Sequence, residues 1–246
     1  MTDWYKIKRV LIWQNNQEKQ IYPAGWKPWS NTLAYYPLET DANDYSGNNR
    51  NLTNDWITFS NNVWVFDWNA MWYYTNQSIF NNLSSLTYSV WINPSSITSW
   101  SSGGTLYKNP VITITDNAAF QTRDKCLFLC SSSQASFYQY YNQQYYTYCN
   151  WVSTNTWCLL TCTYDGTSIK IYKNWILWQS INCWWSYHWY TNAALVIWQN
   201  LNVSGDVYKT IKKYYWKMSK VIVEDKARSA DEITAYYNQT KSTYGL

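Results

Sequence analysis

The sequence predicts an all-β protein: two antiparallel sheets packed as a sandwich, with one short C-terminal helix. Three observations predict it. Aromatic residues make up 20% of the 246-residue chain, and β-branched and aromatic residues dominate where helical heptads would need Leu and Ala. Short apolar runs alternate with Asn, Asp, Ser and Gly clusters at the spacing of a sandwich. A single helix-start signature, Ser229 followed three residues later by Glu232, stands near the end. The length suits one large β domain or two small ones, with room for a sizeable core.

Residues 1–30 read as a polar, basic arm carrying Lys6, Lys8, Arg9 and Lys19, with one strand-like run from Tyr5 to Ile12. Pro23-Ala-Gly-Trp-Lys-Pro-Trp29 then reads as a linker. Residues 31–246 form the sandwich domain. Its clear strands are Leu33–Leu38, Leu86–Ile92, Val111–Thr115, Cys126–Cys130 and Trp157–Tyr164. Ser168–Tyr172, Ile176–Ser180, Ala194–Ile197 and Lys217–Val223 follow. Phe137–Tyr141 and Tyr145–Cys149 pair as a hairpin around Asn142-Gln143-Gln144. The capping box at Ser229 then opens a helix with Ile233, Tyr236 and Tyr237 on one face.

Several classes are excluded. Disorder needs low hydrophobicity and high net charge, and here the net charge is only +4 with 46% hydrophobic residues. Apolar runs such as Val221-Ile222-Val223 are too short to span a bilayer, so membrane insertion is not expected. The opening Met1–Lys6 shows no apolar stretch of a secretory signal. Lys209, Lys212, Lys213, Lys217, Lys220, Lys226 and Arg228 read as a solvated strand-and-loop face, not a nucleic-acid patch. The cysteines at 126, 130, 149, 158, 162 and 183 lie mostly in apolar runs without C-x-x-C spacing, and His188 is the one histidine. They read as reduced core thiols, with a disulfide as the alternative, and give poor material for zinc.

The 19 Trp against 7 Gly are anomalous. Trp175 follows Asn174 where a tight hairpin calls for Asn-Gly, and Trp68 follows Asp67 where Asp-Gly is expected. Many other Trp stand beside turn residues, whereas Trp91 and Trp157 sit among strand neighbours as core residues. A non-glycine residue in left-handed geometry costs about 1–2 kcal/mol. If half of the remaining Trp required it, the total would be on the order of 10 kcal/mol, comparable with a domain's whole stability of about 5–15 kcal/mol. The expectation is that most are glycine codons: some bacterial lineages and their phages decode UGA as glycine, which a common alternative table renders as Trp. The other reading is a truly Trp-rich aromatic binder.

Several segments, in order, carry a family pattern. Leu33-Ala-Tyr-Tyr-Pro-Leu38 precedes Asp41–Asn51 with its Asp-Tyr-Ser-Gly-Asn turn. Val65-Phe66-Asp67-Trp68, Leu86–Pro94 with Trp91, and Trp157–Asn174 with Tyr164-Asp-Gly-Thr167 follow. Leu195–Trp198, Ser229–Ile233 and Tyr236-Tyr237 close it. Together, over residues 32–240, they resemble the LamG-like branch of the concanavalin A-like lectin/glucanase superfamily. Cys158-Leu159 and Val223–Arg228 depart from its pattern. The resemblance implies a two-sheet antiparallel jelly roll, and such folds host sugar-binding modules, adhesive domains and glycoside hydrolases alike.

Retaining hydrolysis needs two carboxylates about 5–5.5 Å apart, and the Glu-x-Asp-x-x-Glu strand of the related glucanases is missing; Glu224-Asp225 and Asp231-Glu232 read as a strand end and a first helical turn. His188 reads as a surface-loop residue. Asp41, Asn43, Asp44 and Ser46 cluster hard oxygen donors and form a candidate calcium site, with an Asx-turn network around Gly47 as the other reading. No other cofactor is implied. For carbohydrate the best material is the Tyr-rich hairpin: Tyr138 and Tyr140 share one face, and Gln139, Asn142 and Gln144 supply amides. The expected function is a non-catalytic lectin-like adhesion module for a glycan or cell-surface polysaccharide. The arm at 1–30 would dock it to a phage tail or other virion or extracellular surface assembly. A structural virion domain without ligand and a glycoside hydrolase are the alternatives.

Overall fold

The computed structural model describes residues 10–14, 17–21, 30–55, 58–60, 63–66, 72–76, 78–95, 100–102, 105–107, 109–116, 125–130, 133–141, 143–183, 193–197 and 216–246. The chain divides into two compact units, Met1–Ser30 and Asn31–Leu246. In the first, β1 (Val10–Gln14) and β2 (Gln17–Ile21) pair antiparallel. Most of the Tyr5–Ile12 run lies outside the described residues.

The second unit runs through β3 (Thr32–Tyr36), β4 (Thr53–Asp55), β5 (Thr58–Ser60), β6 (Val63–Phe66) and β7 (Trp72–Asn76). Next come β8 (Leu86–Pro94), β9 (Trp100–Ser102), β10 (Thr105–Tyr107), β11 (Asn109–Asp116) and β12 (Lys125–Cys130). The Tyr-rich hairpin is β13 (Gln134–Tyr141) and β14 (Gln143–Cys149). Then follow β15 (Cys158–Tyr164), β16 (Ser168–Lys173), β17 (Ile176–Asn182), β18 (Ala193–Ile197), β19 (Trp216–Glu224) and helix α1 (Ala230–Thr240).

A front sheet of seven strands is ordered β14-β13-β12-β11-β18-β7-β4. A back sheet of eight is ordered β17-β16-β15-β8-β19-β6-β5, with β3 also pairing β19. Among the described residues every strand pairing is antiparallel, so the protein is the two-sheet sandwich the sequence pattern predicts. Alternation explains the core. Tyr88, Val90 and Ile92 of β8 and Leu160 and Cys162 of β15 meet Ile114, Leu127 and Phe137 of the front sheet.

The back sheet is buried on its other side as well. Ser89, Trp91, Leu159 and Thr161, which alternate with those core residues, are also buried. The C-terminal helix covers them: Trp91 Nε1 donates to Thr240 Oγ1 at 3.1 Å, and the Trp91 ring stacks on Tyr244 at 4.1 Å. The capping box is as the spacing predicts. Glu232 N–H donates to Ser229 Oγ at 3.2 Å, and Ser229 N–H donates to Glu232 Oε2 at 2.9 Å. Ile233, Tyr236 and Tyr237 face the sheet.

Three expectations change. Trp216 is fully buried in the inter-sheet core because β19 lies at the centre of the back sheet, so the core tryptophans are not Trp91 and Trp157 alone. Trp157 is half-buried and packs on Tyr244. Arg228 does not belong to a solvated basic face. It is buried against Glu224, donating from Nη2 to Oε1 at 2.6 Å, where chain reversal into the helix brings the two together. Burial pushes the Glu224 carboxyl above its ordinary value even beside this guanidinium. Lys209, Lys212 and Lys213 lie outside the described residues.

Cys126, Cys149, Cys158, Cys162 and Cys183 form no disulfide, and all but Cys126 are buried. Burial raises the Cys158 thiol to about 12, so these groups behave as small core hydrophobes.

Candidate functional site

Strands β13 and β14 place tyrosines on the outer face of the front sheet. Phe137 is buried in the core and makes an edge contact with Tyr88 at 5.9 Å. One residue on, Tyr138 therefore points outward. The hairpin register sets Tyr138 opposite Tyr146, and Tyr148 follows two residues later on the same face. The Tyr138 and Tyr146 ring centroids lie 4.8 Å apart at 34°. Tyr146 and Tyr148 lie 6.0 Å apart and within 11° of parallel. Tyr138 and Tyr146 are half-buried, and Tyr148 is 39% exposed. On the same face Phe128 and Ser136 are buried, so the face opens toward the edge strand β14.

The edge is pinned. Tyr148 N–H donates to Gln179 Oε1 of β17 at 2.7 Å, which ties the front-sheet edge to the back sheet. Gln134 Nε2 donates to Asn150 Oδ1 at 2.8 Å. Burial, then the neighbouring Tyr148, raises the Tyr146 phenol above its ordinary value, so it stays a neutral hydroxyl at physiological pH. Rings with flat apolar faces and polar tips, held by a rigid sheet, can take the C–H face of a sugar and hydrogen-bond its hydroxyls.

The predicted hairpin residues are placed unevenly. Tyr138 lies in the tyrosine row. Gln139 is 2% exposed on the opposite, inward face, across the ladder from the buried Lys125, so its amide is not presented beside Tyr138. Tyr140 and Gln144 pair with each other in the ladder, which makes the turn tighter than Asn142-Gln143-Gln144. Asn142 lies outside the described residues. Tyr146 and Tyr148 were missing from the sequence-derived set. They depend on the hairpin register: the observed turn sets Tyr146 against Tyr138, whereas a turn over 142–144 would not.

The 41–51 loop uses its acidic groups internally. Asp44 Oδ1 accepts from Tyr35 N–H at 3.0 Å and Ser46 N–H at 2.8 Å. Its Oδ2 accepts from Ser46 Oγ at 2.8 Å and Arg50 N–H at 3.0 Å. Asp41 Oδ1 accepts from Asn43 N–H at 3.1 Å, and Oδ2 accepts from the Tyr45 hydroxyl at 3.0 Å. Gly47 supplies the left-handed turn at φ +89°. These hydrogen bonds build an Asx-turn network around Gly47. Among the described residues no group of three or more His, Cys, Asp or Glu is placed to hold a metal. His188 lies outside them, as do Asp67 and Trp68. Among them too, no helix is long and apolar enough to cross a membrane.

No family model matches the chain, and no curated protein matches it. Solved structures do. A structure of botulinum neurotoxin type C, whose cell entry is dependent upon interaction with two ganglioside molecules, is similar with a TM-score of 0.63 and 13% identity. That match covers 85% of this chain and 51% of the other. The binding domain of botulinum neurotoxin DC in complex with SialylT gives 0.64 at 14% identity, over 85% and 51%. The type G receptor binding domain gives 0.62 at 12%, over 86% and 52%. The chain spans about half the length of these structures. At such identities the likeness is one of fold: a β-sandwich of the kind found in the binding domains of these toxins.

Proposed function

We propose that the sandwich is a non-catalytic, lectin-like recognition module of the LamG-like type, which binds a cell-surface glycan or polysaccharide on its tyrosine face. The contiguous row Tyr138, Tyr146 and Tyr148 carries this reading, because it offers ordered aromatic surface. The ganglioside and SialylT interactions named for the similar toxin structures support a glycan as ligand. Four of the described carboxylates serve the fold, which supports a non-catalytic role. Glu224 is locked to Arg228, Glu232 closes the capping box, and Asp44 and Asp165 organise their turns. In this reading the basic 1–30 unit tethers the module to a phage tail or other surface assembly.

A structural assembly domain without ligand is the second reading. It is favoured by Ile176 and Leu177 of the edge strand β17, which are both exposed. A glycan array probed with the full chain separates the two. Specific spots that disappear in Tyr138→Ala/Tyr146→Ala support the recognition module. An empty array, with stable multimers that need residues 1–30, supports assembly.

A further inference from the structure

We infer that the sugar is read at the Tyr148 end of the row, by the Tyr148 ring together with the side-chain amide of Asn150. This assignment rests on the glycan-binding reading above. Thr147 and Cys149 are buried, so the residues alternating with them, Tyr146, Tyr148 and Asn150, stand on the outer side. On β13 the buried Ala135 likewise sets Gln134 outward. The two amides meet there: Gln134 Nε2 donates to Asn150 Oδ1 at 2.8 Å. Tyr148 and Asn150 are exposed, whereas Tyr138 and Tyr146 are half-buried. This end of the row therefore offers a ligand the most surface.

Both residues are held by neighbouring strands before a sugar arrives. The Tyr148 backbone is fixed from the back sheet, where its N–H donates to Gln179 Oε1 at 2.7 Å. Gln179 stands beside a bulge in β17, where it pairs Ile171 while Leu177 pairs Tyr172. Such a bulge re-aims the side chains next to it. Gln134 fixes Asn150 in turn. Its bond takes Asn150 Oδ1, so the Nδ2 amino group of this exposed residue is the donor offered to a sugar oxygen. A pyranose whose C–H face covers the Tyr148 ring brings an edge hydroxyl to that donor. A fixed aromatic plane and a fixed amide lose little freedom on binding, which favours affinity and selects the hydroxyl.

The test titrates the full chain with hexose and sialylated oligosaccharides of matched length and follows the tightest of them through three variants. Tyr148→Ala and Asn150→Asp are each expected to weaken it at least about tenfold, and Tyr138→Ala by less. Asn150→Asp keeps an oxygen acceptor for Gln134 and removes the amino donor, so its urea midpoint should stay at the native value. Monodeoxy forms of the same sugar locate the hydroxyl. The native chain should bind one of them weakly, and Asn150→Asp should bind that one as it binds the parent sugar. Native affinity in Asn150→Asp or Tyr148→Ala, or a larger loss in Tyr138→Ala, would overturn this placement and leave the recognition module standing. Failure of the folded native chain to bind any of the sugars would overturn the module itself.

Discussion

The outer faces of the two sheets carry similar aromatic material and meet different fates. On the back sheet Trp91 lies under Tyr237 and Tyr244, and its indole N–H is satisfied by Thr240. On the front sheet Tyr138, Tyr146 and Tyr148 contact one another and keep exposed surface. Aromatic content alone therefore does not mark a binding surface. What decides is how far each ring is covered, and on the back sheet the eleven-residue helix and the turn after it cover Trp91.

The contrast predicts that damage to the covered face costs stability and damage to the tyrosine row costs binding. The largest loss is expected for Arg228→Ala, which leaves the Glu224 carboxylate buried without its partner, at about 3–5 kcal/mol in urea unfolding. Trp91→Ala should cost a similar amount, about 3–5 kcal/mol, by opening a cavity beneath the helix. Thr240→Val should cost about 1–2 kcal/mol, because the Trp91 indole N–H loses its acceptor in a buried site. A loss as small as that of a surface substitution in all three variants would break the distinction between the faces.

The smallest effect is in acid. Burial acts to raise the Asp165 carboxyl, but hydrogen bonds from Ser168 and Thr167 outweigh it and hold the group below its ordinary value of 3.8. A carboxyl depressed in the folded state contributes stability above its unfolded pKa and loses it as pH falls toward the folded one. Asp165→Asn should therefore flatten the acid limb of a pH–stability curve below about pH 4 and leave the tyrosine face unaffected. An unchanged acid limb would contradict the role given to this turn.

The residues that defined the sandwich in the sequence are those whose signals are local. Ser229 and Glu232 mark the helix by spacing, and Asp44 with Gly47 marks a turn by its own hydrogen-bonding reach. Alternation alone sets Gln139 opposite Tyr138. Long-range facts were not legible. That Trp91 faces the helix and not the opposite sheet depends on how residues 230–244 return. That Trp216 is core depends on the central place of β19 among strands distant in sequence. Arg228 looked like one cation among several, because its partner Glu224 comes near only after the chain turns. Tyr146 and Tyr148 needed the register of the hairpin, which the tight turn sets and composition does not.

The central claim is that the open tyrosine row binds glycan without holding the fold together. The most direct measurement compares a neutral oligosaccharide's affinity for the native chain and for Tyr146→Ala/Tyr148→Ala, with urea midpoints of both proteins. The account predicts at least about a tenfold loss of affinity, with stability changed by no more than about 1 kcal/mol. Full affinity in the double variant, with its fold intact, would contradict it.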